Sequence, residues 1–128
     1  MMAGDGRRAT GVVLVVDDLF FSIKVKTAAQ RLGTEVYFER TGEHTLDTIK
    51  EKKPRLVVFD LDAAKLRPIE TIAAMKDDPE LRAVPTLGFV SHVHAETIAA
   101  ARAAGIDQVL ARSAFADRIG AILGDPPG

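Results

Sequence analysis

LVVFDLD, residues 56–62, is the stretch on which the reading of this chain turns. Leu56 to Phe59 are strand-forming and show no polar alternation, the pattern of a strand covered on both faces in a parallel sheet. The run then breaks into Asp60 and Asp62. A second apolar run, VVLVV at 12–16, ends the same way in Asp17 and Asp18. Laid side by side, the two strands bring three or four carboxylates to one edge of the sheet. Such a cluster is costly unless a cation or a phosphoryl group uses it. A single acid at a strand end is ordinary polarity; two strands ending alike argue for a site.

The segments around these strands alternate regularly. Phe21, Val25, Ala28, Ala29 and Leu32 recur at helical spacing, and Gly33 stops that helix. TEVYF at 34–38 reads as a second strand, and 42–53 as a second helix with Leu46 and Ile49 inward, ended by Pro54. Pro68 opens a third helix carrying Ile69, Ile72, Ala73 and Met75, and DDPE at 77–80 closes it. Residues 84–90 form strand four, 95–104 an alanine-rich helix capped by Gly105, and 109–111 strand five. Phe115, Ile119, Ile122 and Leu123 make the inner stripe of a last helix before GDPPG. Residues 1–10 are expected to be a flexible leader, 11–124 one domain and 125–128 a tail.

This alternation predicts an α/β fold, a doubly wound five-stranded parallel sheet. In the common strand order 2-1-3-4-5 the order reverses between strands one and three, where ligands bind beyond the carboxyl ends. Asp17, Asp18 and Asp60 are expected to meet there.

At 128 residues the chain has room for one core. With 17 basic against 18 acidic residues, nothing points to nucleic acid or an anionic membrane surface. Lys50, Lys52, Lys53 and Arg55 read as a solvated helix end. Cysteine is absent, which excludes disulfides, thiol catalysis and thiolate metal sites. No run is long enough to span a membrane and no signal-peptide core opens the chain, so a cytoplasmic protein is expected.

Hard oxygen ligands at a crevice mouth suit Mg2+, with Asp18 and Asp60 as the preferred ligands and Asp17 beside them. Neutralised by such an ion, Asp60 is the natural nucleophile toward a phosphoryl group. His92 and His94 form a His-x-His pair after strand four; in a loop of this length solvent exposure is the expectation, with transition-metal ligation as the alternative. His44 reads as a surface residue.

From about Val12 to Leu123 the chain resembles the receiver domain of two-component response regulators, of the chemotaxis-regulator type. The resemblance is carried by the acid pair Asp17 and Asp18, by Asp60 preceded by Pro54 and LVVF, by MKDDPELRAVP, and by AAGID before strand five. It implies the flavodoxin-like receiver fold and a stand-alone signalling switch rather than an enzyme. The switch would be phosphorylated on Asp60 by a histidine kinase or phosphotransfer protein, with Mg2+ held by Asp18, Asp60 and the backbone carbonyl of Asp62. It further implies that helix four, strand five and helix five, here carrying Arg102, Gln108 and Arg118, form the surface for homodimerisation and for contacting a downstream protein.

The chain departs from that pattern where phosphorylation is read. The strand-four hydroxyl falls on Val90, which donates no hydrogen bond, with Ser91 as a substitute only if the strand end is bulged. The aromatic of strand five falls on Val109 and the phosphate-contacting lysine on Arg112, which keeps the charge in a longer, forked group. The following proline becomes Ser113, expected to follow a trans bond and to N-cap the last helix. A divergent receiver with an atypical switch is the reading; the alternative is a phosphorylation-independent interaction module. VVFDLDAAKL also resembles the first motif of haloacid-dehalogenase phosphatases, with Asp60 as nucleophile and Asp62 as acid/base, but Ala63 and Ala64 stand where that motif has glycine and threonine. A flavodoxin-like electron carrier would place a flavin phosphate against Asp17 and Asp18, which repel it.

Overall fold

A computed structural model describes residues 11–92 and 94–124; the expected leader and tail lie outside them. The sheet is parallel and runs β2-β1-β3-β4-β5, as the alternation predicts. Its strands are β1 (Val12–Val15), β2 (Val36–Glu39), β3 (Leu56–Asp60), β4 (Thr86–Val90) and β5 (Gln108–Ala111). The helices are α1 (Leu19–Leu32), α2 (Thr45–Lys52), α3 (Pro68–Asp77), α4 (Ala95–Ala104), α5 (Arg112–Asp117) and α6 (Ile119–Gly124), with a 3-10 turn at Ala64–Leu66.

Side chains alternate along each strand, so the sheet builds two cores. Val13, Val15, Val57 and Phe59 pack on one face with Ile49 of α2, Ile72 and Met75 of α3 and Ala101 of α4. Val12, Leu14, Val58 and Phe89 pack on the other with Phe21, Val25 and Ala29 of α1, Phe115 of α5, and Ile119 and Leu123 of α6. Three rings stack within the second core: Phe89 lies 5.0 Å from Phe21 and 5.1 Å from Phe115, centroid to centroid.

Gly33 and Gly105 end α1 and α4 in the left-handed region, as their places in the sequence indicate. Helix α2 starts later than expected. Gly42 takes φ +80°, and a Cβ there would sit 2.7 Å from the Leu66 carbonyl oxygen, so this residue belongs to a turn pressed against the 3-10 segment. The last helix also differs. It starts at Arg112 with Ala111 at the cap position, so Ser113 is inside the helix and does not N-cap it. Arg118, at φ −105° and ψ 8°, divides it into α5 and α6. Among the described residues no peptide bond is cis.

In the basic group at the end of α2 the lysines are exposed, as a solvated helix end implies, and Arg55 is bound into the fold. Lys50 pairs with Asp78 at 3.1 Å, and Lys52 lies 4.8 Å from the Tyr37 ring centroid. Arg55 donates from Nη2 to the Ile122 and Leu123 carbonyls at 2.9 and 2.7 Å, satisfying the carboxyl end of α6.

At the end of the sheet remote from the acids, Asp107 Oδ2 accepts from the Thr86 backbone N–H and hydroxyl at 2.8 and 3.0 Å, and the Asp107 N–H donates back to Thr86 Oγ1. Thr86 is buried, so removing the carboxylate strands its donors. Asp107→Ala is expected to lower unfolding free energy by about 1–2 kcal/mol, seen as a lower urea midpoint with an unchanged slope.

Candidate functional site

Where strand order reverses between β1 and β3, the backbone leaves the sheet and the acids begin. Val15 pairs with Phe59 and Asp60 with Phe89, so Asp60 ends β3 beside the segment carrying Asp17 and Asp18. Asp60 is only 8% exposed. Its Oδ1 accepts the Asp62 backbone N–H at 3.0 Å. Burial raises the Asp60 pKa above its ordinary value; the Asp62 N–H opposes this, the Asp62 charge adds to it, and Arg112 and Asp18 then act in opposite directions.

Asp18 serves as the N-cap of α1: its Oδ1 accepts the Phe21 N–H at 3.0 Å, while Ser22 Oγ donates to its carbonyl at 2.8 Å. Its Oδ2 accepts from Arg112 Nη2. The Phe21 N–H, and after it Arg112, hold this carboxyl below its ordinary value against the opposing effect of burial. The Arg112 guanidinium lies over aromatic faces, its Cζ 4.4 Å from the Phe21 centroid and 5.6 Å from that of Phe89. The expected cation therefore stands at the acid cluster, gripped by Asp18.

The other acids divide. Asp17 Oδ2 lies 3.4 Å from Lys65 Nζ, so this carboxylate is engaged by the loop after β3. The Asp62 side chain accepts the Ser91 backbone N–H at 2.6 Å and lies 3.8 Å from His94 Nδ1, while its carbonyl accepts the Ala64 N–H at 3.0 Å. That carbonyl keeps a second lone pair. Among the described residues no three acidic or imidazole side chains are placed to hold a metal ion together. Asp60 thus lies within electrostatic reach of Asp62, Arg112 and Asp18, while Asp17, next to Asp18 in the chain, pairs with Lys65.

Val90 is 4% exposed and packs into the core of α2, α3 and α4, with Val109 against the same core. Val90 and Val109, on which the expected hydroxyl and aromatic positions fall, are thus both aliphatic and packed on this core. Strand β4 ends at Val90, and Ser91 is exposed on a bend held by Asp62. Ser91 lines a cavity of about 480 Å³ with Phe20, Phe21, Lys24, Arg112 and Ser113. His92 and His94 are exposed, their ring centroids 5.9 Å apart. His44 is exposed too, with Nδ1 4.0 Å from Asp47.

Sequence reasoning missed three participants: Lys65 on Asp17, the Asp62 side chain on Ser91, and the phenylalanines beneath Arg112. Lys65 lies close enough in sequence to the β3 acids to have been considered. Phe21 and Arg112 are far apart in the chain, and no local signal joins them.

No family model matches the chain. In sequence it is similar to the polar-differentiation response regulator DivK of Brucella anthropi, 28% identical over 80 residues, which is 62% of this chain and 65% of that protein. The matched stretch is therefore under two thirds of that relative. In structure it is similar to the phosphorylated cyanobacterial phytochrome response regulator RcpA, with a TM-score of 0.75 and 19% identity over 91% of this chain and 89% of that one. The Mn2+-bound form of response regulator Rcp1 gives a TM-score of 0.75 and 17% identity, covering 93% of this chain and 99% of that one. These structural likenesses show the fold.

Proposed function

We infer that this chain, a divergent response-regulator receiver domain, is a signalling module that accepts a phosphoryl group on Asp60. The observation that carries the reading is the placement of Asp60: a nearly buried carboxylate at the strand-order reversal, held by one backbone N–H and flanked by Asp18 and Arg112. In the proposed step a free oxygen of the Asp60 carboxylate attacks the phosphorus of a phosphohistidine or an acyl phosphate. The P–N or P–O bond breaks, and the pair leaves with the imidazole or carboxylate. The product is an acyl phosphate on Asp60.

The donor set fits a divalent cation of the magnesium kind: two carboxylates, Asp18 and Asp60, and the Asp62 carbonyl are all hard oxygens, and such an ion keeps several waters. When bound it would offset the negative charge that repels an incoming phosphate. Arg112 brings a positive charge to the same edge, and Ser91 and Ser113 line the adjoining cavity. A histidine kinase or phosphotransfer protein is the proposed donor. The face of α4, β5 and α5 is the proposed contact for a second copy or a downstream protein.

A second reading, an interaction module that needs no phosphoryl group, is favoured by one observation. Val90 and Val109 give the phosphorylated state no polar contact through which the usual rearrangement would run. The haloacid-dehalogenase reading loses ground, because Asp60 ends the third strand rather than the first and is followed by Ala63 and Ala64. Intact mass after incubation with acetyl phosphate and Mg2+ separates the readings. A single phosphoryl adduct supports the receiver, and an unmodified protein under conditions that label an ordinary receiver supports the interaction module.

A further inference from the structure

We propose that Arg112 is a built-in competitor of the divalent cation: guanidinium and metal ion use the same carboxylate of Asp18, so metal binding displaces Arg112 from Phe21 and acts directly on the start of α5. The inference rests on the metal reading above and adds to it how the site is regulated and how its state is passed on.

Asp18 has little to spare. Its Oδ1 accepts the Phe21 N–H in capping α1 and its Oδ2 accepts from Arg112, so each oxygen already has one partner. A small dication binds carboxylate oxygens at about 2.0–2.1 Å, and a guanidinium on the same carboxylate would face it as a like charge. The two cations therefore oppose one another at Asp18 by electrostatics. Arg112 has somewhere to go. The cavity of about 480 Å³ that it lines beside Phe20, Lys24 and Ser113 is open next to its present seat.

The displacement reaches the fold without a connecting loop. β5 ends at Ala111 and Arg112 is the first residue of α5, so a change at its side chain acts on the first turn of that helix. Phe21, which carries the guanidinium, also contacts Phe115 of α5 at 5.5 Å between centroids. In a chain where Val90 and Val109 replace the polar relay, Arg112 is the polar group that touches both the acid cluster and α5.

The test uses the full chain and two readouts. Mn2+ binding is followed by loss of the free-ion paramagnetic resonance signal in wild type, Arg112→Gln and Asp18→Asn. The Arg112 Nε–Hε resonance, assigned by its absence in Arg112→Gln, is followed by NMR during titration with Mg2+. Arg112→Gln, which removes the charge and keeps a polar side chain, is expected to bind Mn2+ about five- to tenfold more tightly than wild type. Asp18→Asn is expected to lose binding. The Arg112 resonance should begin ring-shifted by Phe21 and move toward the solvent-exposed value as Mg2+ saturates. Equal Mn2+ affinity in wild type and Arg112→Gln, or an Arg112 resonance that does not move at saturation, overturns the proposal. If no variant binds Mn2+, Arg112→Gln included, the metal reading itself has failed and takes the proposal with it.

Discussion

The wild-type protein is expected to gain one phosphoryl group from acetyl phosphate with Mg2+ and Asp60→Asn to gain none, while the substitution leaves the fold more stable. The first effect is all or none. Asn keeps the shape of the side chain and still accepts the Asp62 N–H through its amide oxygen, but has no carboxylate to attack phosphorus. A labelled Asp60→Asn protein would show that the acceptor is another residue. The second effect follows from electrostatics. Burial first, then the Asp62 and Asp18 charges, raise the Asp60 pKa above its ordinary 3.8, against the Asp62 N–H and Arg112.

The folded state thus holds its proton to higher pH than the unfolded chain does. Below the ordinary value both states are protonated and Asp60 carries no penalty. As pH rises through the folded pKa its favourable contribution is lost, and at neutral pH the buried anion destabilises the fold. Asp60→Asn should therefore raise thermal stability at pH 7, by on the order of 1 kcal/mol, and the gain should shrink as pH falls toward and below 3.8. A gain of equal size at all pH values would mean that packing, not charge, is responsible.

Phe89→Ala should be the most destabilising single change in the aromatic core. Phe89 is 0% exposed, stacks on Phe115 at an interplanar angle of 15°, contacts Phe21, and lies beneath Arg112. Truncation removes the ring's transfer free energy and leaves a cavity between α1, β4 and α5, costing about 3–5 kcal/mol. Against a typical domain stability of about 5–15 kcal/mol, that leaves the protein close to its unfolding threshold. Urea denaturation should show a large fall in midpoint, and Phe89→Leu, which fills most of the volume, a much smaller one. A loss below about 1 kcal/mol for Phe89→Ala would show that α5 collapses onto the gap and that the three-ring stack is not what seats it.

The two substitutions address one edge of the sheet from above and below. Asp60 stands at the crevice because β3 ends there; Phe89, its partner in the β3–β4 register, forms with Phe21 the floor on which Arg112 rests. Weakening that floor by Phe89→Leu therefore bears on Arg112 as well as on stability.

Periodicity and punctuation were enough to specify most of the architecture. Unbroken apolar runs at 12–16 and 56–59 mark doubly covered strands, Gly33 and Gly105 stop helices through left-handed dihedrals that glycine adopts without strain, and short alternating segments leave a parallel doubly wound sheet as the natural solution. The topology then carries Asp18 and Asp60 to the same edge. These are local properties, each readable from a few neighbouring residues, together with a rule on how strands connect.

Other features depended on residues distant in sequence. Arg112 and Asp18 are 94 positions apart, yet their pairing decides which cation the acid edge holds before any ligand arrives. Arg55 reads locally as one more solvated base, but the path of α6 puts the Ile122 and Leu123 carbonyls within its reach. Ser113 has the chemistry of a helix cap but lies one residue inside α5, because β5 passes straight into the helix at Ala111. Asp17, Asp18, Asp60 and Asp62 carry the same carboxylate, and only the tertiary structure gives each its neighbour: Lys65, Arg112, the Asp62 N–H and the Ser91 N–H in turn. Sequence determined which elements form and which acids reach the crevice, because dihedral preference and burial act over a few residues. Tertiary structure decided what each charge touches, because a charge pairs with whatever group the fold brings within a few ångströms of it.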